Sequence, residues 1–173
     1  MKTAAPLQDT RPGNFIDGGL YAGTFGNYEP YVLILAPKAT GECEDRWTFS
    51  PNSIEGTQSR TDGQANTIAM AEAGLPLGKW AAGLVIDGFD DWYIPSSQEQ
   101  QFLGDRFAGM LHDRVRLDPA EGFDPIWYLS STEDQRDPRY VYAYAFGPGQ
   151  ERQAAVLKCN VHRVRAVRRV PIN

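Results

Sequence analysis

The sequence predicts an α+β fold built on an antiparallel sheet, and three observations carry that expectation. Strand-like segments rich in β-branched and aromatic residues gather in the first and last thirds, with helical periodicity between them. That order of strands, helices, strands is the signature of segregated layers rather than of a doubly wound sheet. Seventeen glycines and twelve prolines are spread over the 173 residues, as expected of many short elements joined by turns. Hydrophobic residues make up 42% and aromatics 12%, enough to build one core in one domain and too much for a disordered chain.

Residues 1–17 form a leader. Its first fourteen residues, MKTAAPLQDTRPGN, are polar, punctuated by proline and without periodicity. Such a segment either packs on its own domain or docks on a partner, and partner docking is the expectation. A single domain spans 18–173. Leu20–Phe25 and Tyr31–Ala36 flank Gly26–Pro30 and read as a hairpin, its second strand apolar on both faces and therefore central. Pro37 stops it. Gly41 to Arg60 reads as a long loop or short strands. Asp62 caps a helix over Gly63–Ala73, with Ala65, Ile68, Ala69 and Ala73 on one face and Gly74 as the stop. Leu77, Trp80, Ala81, Leu84 and Val85 repeat at helical spacing, which predicts a second short helix. Asp87–Asp91 is a turn and Trp92–Ile94 a short strand. Ser96 and Glu99 form a capping box after Pro95, opening a helix to about Leu111 that buries Phe102, Leu103, Phe107, Met110 and Leu111. Ile126–Ser131, Val141–Phe146 and Val161–Val170 complete the strands.

Composition excludes several functions. The formal net charge of −5 argues against general binding to nucleic acid or membrane surfaces. No apolar run reaches the roughly 20 residues of a spanning helix, and MKTAAPLQDT lacks the apolar core of a signal peptide. Cys43 and Cys159 stand far apart and read as two ordinary thiols, a disulfide being the alternative. With His112 and His162 the only imidazoles, no zinc site is expected, and no phosphate loop or nucleophile elbow occurs. No cofactor is expected.

Several groups have a catalytic or ligating look and a plainer reading. Asp87, Asp90 and Asp91 supply too few oxygens for calcium; turn formation and pairing with an arginine of the final strand account for them better. Arg163, Arg165, Arg168 and Arg169 read as long side chains covering a sheet edge and pairing with carboxylates. Ser130, Ser131 and Thr132 read as hydroxyls satisfying backbone groups at a strand end. Glu99 belongs to its capping box, and a glycosidase pair drawn from Asp91, Glu99 and Glu133 is the lesser alternative, so the expectation is a non-enzyme. The best recognition candidate is Asp134–Tyr140 with the strand that follows. Tyr140, Tyr142 and Tyr144 alternate with small residues and share one strand face, while Arg136, Arg139, Gln150 and Arg152 lie in the adjoining turns. Tyrosine and arginine suit a binding surface; a tyrosine face packed on a helix of the same domain is the equal alternative.

An ordered set of segments resembles a known family. These are Leu33–Lys38, Asp62–Thr67, Asp90-Asp-Trp-Tyr-Ile-Pro-Ser96, Trp127-Tyr-Leu-Ser-Ser-Thr-Glu133 and Val164-Arg-Ala-Val-Arg-Arg-Val170. From about Gly18 to Val170 the chain is similar to the family named for the C-terminal domain of the Legionella collagen-like adhesin (Lcl C-terminal domain), many of whose members are phage or prophage proteins. The resemblance implies a C-type-lectin-like fold: a small twisted antiparallel sheet flanked by two or three helices, with a long irregular loop region. It also implies a phage virion or tail-associated protein, made in the host cytoplasm, that binds a host-surface glycan or protein. The alternative is a structural virion component, a tail or capsid decoration held to other virion proteins through the leader. A homo-oligomer is compatible with either.

Overall fold

The computed structural model describes residues 10–107, 116–147, 149 and 152–172. Strands β1 (Phe15–Ile16), β2 (Gly19–Phe25) and β3 (Tyr31–Leu35) open the chain. The one-turn helix α1 (Lys38–Gly41) and strand β4 (Glu42–Arg46) follow. Helices α2 (Gly63–Glu72), α3 (Pro76–Ala82) and α4 (Ser97–Phe107) occupy the middle. Strands β5 (Trp127–Glu133), β6 (Tyr140–Ala145), β7 (Arg152–Leu157), β8 (Val161–Arg165) and β9 (Val167–Pro171) close it. The fold is mixed helix and sheet with strands at both ends of the chain, as the segregated pattern predicts.

The strands form two sheets, ordered β1-β2-β3-β9 and β4-β8-β5-β6-β7. Pairing is antiparallel except for one parallel contact, Tyr128 beside Arg163. The sheets share a continuous stretch of chain, because 161–171 passes from the second sheet to the first at Ala166. There the Ala166 N–H donates to Gly41 O at 2.8 Å, and its carbonyl accepts from Ala36 at 2.9 Å. β3 is central, as its two apolar faces require. Leu33 and Leu35 face Tyr93, Tyr128 and Tyr144, while Val32 and Ile34 face Ile86, Trp92 and Ala166.

Local signals hold well where capping chemistry decides. Asp62 accepts from the Ala65 N–H at 3.0 Å and starts α2, and Gly74 ends it at φ +83°. The capping box is present: Ser96 N–H donates to Glu99 Oε2 at 2.7 Å and Glu99 N–H to Ser96 Oγ at 3.3 Å. The face α2 buries is different from the one its alanines predict. Gly63, Asn66, Thr67 and Met70 point inward, whereas Ala65 and Ala73 are exposed and Ile68 is 51% exposed. The reason is hydrogen bonding. Asn66 Nδ2 donates to Ser59 O at 2.6 Å, and Thr67 Oγ1 accepts from the Ile94 N–H at 3.0 Å, so polar side chains clamp the helix to neighbouring backbone.

Other expectations are corrected. α3 stops at Ala82 before Gly83, leaving Leu84 and Val85 outside the helix. Trp92–Ile94 pairs only through Tyr93, which bridges Val167. α4 buries Leu103 but also Ser97, Glu99, Gln100 and Gly104, with Phe102 and Phe107 at its margin. Met110 and Leu111 lie outside the described residues. β7 has no counterpart in the expected strands, because Gln153-Ala-Ala155 carries little β propensity. β8 runs between β4 and β5, so Arg163 and Arg165 do not line an edge. Of the leader, residues 13–16 run beside β2: Gly13 N–H donates to Tyr21 O at 2.8 Å, and Tyr21 N–H to Asn14 O at 2.9 Å. Residues 1–9 lie outside the described residues.

Candidate functional site

The turn from β5 to β6, the face of β6 and the loop before α2 meet in a cleft of about 460 Å³. Its back wall is Glu133, buried and bound to Lys158, to the Ile54 N–H at 3.0 Å and to Gln58 Nε2 at 3.0 Å. Next to it Asp134 takes a bidentate pair from Arg136, Nε at 3.2 Å and Nη2 at 3.0 Å, which lowers the Asp134 pKa. Tyr142 supplies an aromatic wall. The Arg60 guanidinium lies 4.9 Å from its ring centroid. Arg60 donates to Ser97 Oγ at 3.4 Å and to Gln153 Oε1 at 3.2 Å and has no carboxylate partner among the described residues. Paired charges thus lie behind, and a guanidinium with no carboxylate partner among the described residues and an aromatic face lie in front.

Of the residues expected here, Arg136 and Tyr142 meet in this cleft. Arg139 folds back onto Asp137 within its own turn, Nη2 to Oδ2 at 2.6 Å, which holds the Asp137 carboxyl down at about 2. Its guanidinium stands 5.8 Å from the Tyr140 ring, and Tyr140 is half-buried. Tyr144 takes the plainer alternative. It is 1% exposed, packed with Phe146 and against Gly104 of α4. Arg152 stands 5.7 Å from the Trp127 ring, where β7 pairs Ala145 rather than Tyr142. Gln150 lies outside the described residues. Gln58 and Arg60 were not legible in the sequence as site residues. Each is more than seventy positions from Glu133, and no local pattern marks a contact of that range.

Most of the remaining candidates have structural partners. Asp91 holds Arg168 through both oxygens at 2.6 and 2.9 Å, and Asp87 with Gly88 forms a turn at positive φ. Arg163 pairs with Glu42, Glu44 and Asp124, Arg165 with Glu121, and Arg169 with Asp62. Ser130 Oγ donates to Tyr142 O at 2.8 Å and Thr132 Oγ1 to Ser59 O at 2.7 Å, the backbone role expected of them. Glu99 does more than cap. Its Oε1 accepts from Tyr31 and Tyr93, each at 2.6 Å, and its Oε2 also accepts from the Gly63 N–H at 3.1 Å, at the start of α2. A fully buried carboxylate thus sits between two helix N-termini, where the aligned dipoles favour it.

Cys43 and Cys159 are free thiols, and burial together with Asp45 and Glu42 pushes Cys43 up to about 12. Burial lowers the pKa of His162. Among the described residues no group of three His, Cys, Asp or Glu side chains is placed to hold a metal ion, and no helix is long and apolar enough to cross a membrane. Comparison with protein families, with curated proteins and with solved structures returns no match.

Proposed function

We propose that this chain is a non-enzymatic, phage virion- or tail-associated binding protein of the Lcl C-terminal-domain type, C-type-lectin-like in fold. Its ligand is a glycan or protein of the host surface. The observation that carries the binding role is the cleft in which Arg60 and Arg136 flank the Tyr142 ring with the Gln58 amide alongside. Planar guanidinium and amide groups read hydroxyl and carbonyl patterns, and an aromatic face covers the apolar side of a sugar ring or peptide. The carboxylates nearest the cleft are engaged by Arg136 and Lys158, which suits recognition better than proton transfer. The ordered resemblance across the chain supports the virion setting.

The test is binding of labelled protein to host cells and to extracted surface polysaccharide, with Tyr142→Ala beside the wild type. Loss of a central aromatic anchor is expected to weaken binding about thirtyfold, ~2 kcal/mol, with little change in the melt. Folded wild-type protein that binds neither cells nor polysaccharide would replace this reading with the structural virion component.

A further inference from the structure

Each sheet has two outer strands, and three of these four edges are blocked. β1 is only two residues long. β4 reads Glu-Cys-Glu-Asp-Arg, so a second β4 laid against it would oppose acid to acid. β9 carries Arg168, Arg169 and Pro171, and Tyr93 already bonds Val167 on its outer side at 2.8 Å in both directions. Charges, proline, short length and cover are the usual devices against strand addition.

β7 lacks them, among the described residues, except for Arg152 at its first position. It pairs with β6 at all six positions, from Tyr140 beside Leu157 to Ala145 beside Arg152, without a bulge. Its outer edge has no partner among the described residues. Gln153-Ala-Ala-Val-Leu157 contains neither charge nor proline, Ala155 is exposed, and Leu157 is 37% exposed. The next cation along the chain, Lys158, turns inward to Glu133. Unpaired N–H and C=O groups along a segment without charge or proline form a template for another strand.

We propose that the free edge of β7 pairs antiparallel with β7 of a second copy of this chain, joining two five-stranded sheets into one. A two-fold axis normal to the sheet lets a residue face only residues on the same side of the pleat, so the pairing register is restricted to positions of equal parity. The register centred on Ala155 sets Ala155 against its own copy, Ala154 against Val156 and Gln153 against Leu157. Arg152, the single charge of the strand, comes opposite position 158 of the other copy, where the Lys158 ammonium is buried and turned inward to Glu133. Within 153–157 no charges oppose each other, and this self-compatibility, absent from β4, favours a second copy as the occupant.

Sedimentation equilibrium of the full chain over a range of concentrations tests the pairing. The expected result is a mass rising to twice the 19.2 kDa of one chain. Ala155→Lys places two ammonium groups across the axis at an exposed position, and it is expected to return the mass to that of one chain with an unchanged circular dichroism spectrum. Hydrogen exchange of the wild type gives a second readout: outward amides within 153–157 gain protection as concentration rises. A single-chain mass at every concentration, a doubled mass that survives Ala155→Lys, or exchange in 153–157 that is independent of concentration would each overturn the proposal.

Discussion

At the scale of single residues, Gly104 and Glu99 show how closely side chains set the approach of α4 to the sheets. Gly104 is an interior position of an eleven-residue helix, where alanine ordinarily improves stability by about 1 kcal/mol. Here an added Cβ would overlap the Tyr144 ring, so the glycine forms the notch into which that tyrosine is packed. Gly104→Ala is therefore expected to reverse the usual sign and lower stability by about 1–3 kcal/mol through overpacking. Urea unfolding of the two proteins measures this, and a gain in stability would show that Tyr144 yields at no cost. The same logic applies at Gly63, whose Cβ would meet Ser96 N, Ile94 O and the Glu99 carboxylate. A carboxylate that receives donors from two helices, a strand and an extended segment leaves no room for a side chain beside it.

Among the elements, the stretch from Trp47 to Arg60 positions half of the cleft, yet it has almost no regular structure. It is tied down from below. Lys158 Nζ bonds Glu133, donates to Asn52 O at 3.1 Å and lies 4.7 Å from the Trp47 ring centroid, while Glu133 holds Ile54 and Gln58. Removing one member of a buried ion pair strands the other, so Lys158→Met is expected to cost about 3–5 kcal/mol. The double variant Lys158→Met, Glu133→Gln is expected to regain a large part of that loss, because the uncompensated charge is gone. Full additivity in the double-mutant cycle would mean that the two groups do not hold the loop together. This explains which parts of the fold were legible. The β2–β3 hairpin, the Asp62 cap and the Ser96–Glu99 box are written in neighbouring residues, and they fold as read. The buried face of α2 is not written locally, because Asn66 and Thr67 look solvent-facing until Ser59 and Ile94 supply their partners. The cleft was half legible: Arg136 and Tyr142 belong to a local strand-and-turn pattern, but Gln58 and Arg60 reach it only through contacts of long sequence separation.

For the whole molecule, the ionisable groups make alkaline pH the revealing perturbation. Tyr31, Tyr93, Tyr128 and Cys43 all have raised pKa values in the fold, chiefly through burial, with carboxylates of Glu99, Glu42, Asp124 and Asp45 adding to the shift. In the unfolded chain a tyrosine releases its proton near pH 10, and a cysteine near 9. The native state therefore binds more protons than the unfolded state above about pH 9, and stability must fall as pH rises through that window. Each withheld proton contributes a slope of about 1.4 kcal/mol per pH unit. The melting temperature is expected to be nearly level between neutral pH and about pH 9, then to fall steeply as the tyrosines of the unfolded chain ionise. Phenolate absorbance from the buried tyrosines should appear together with unfolding rather than before it. Tyr93→Phe, which removes one of these protons along with its bond to Glu99, is expected to start from lower stability and then lose it less steeply. A wild-type melting temperature that stays level well into the tyrosine range would mean that water reaches these hydroxyls in the folded state. The interior between α4 and β3 would then be far more open than the packing of Tyr93 against Leu33, Leu35 and Leu103 requires.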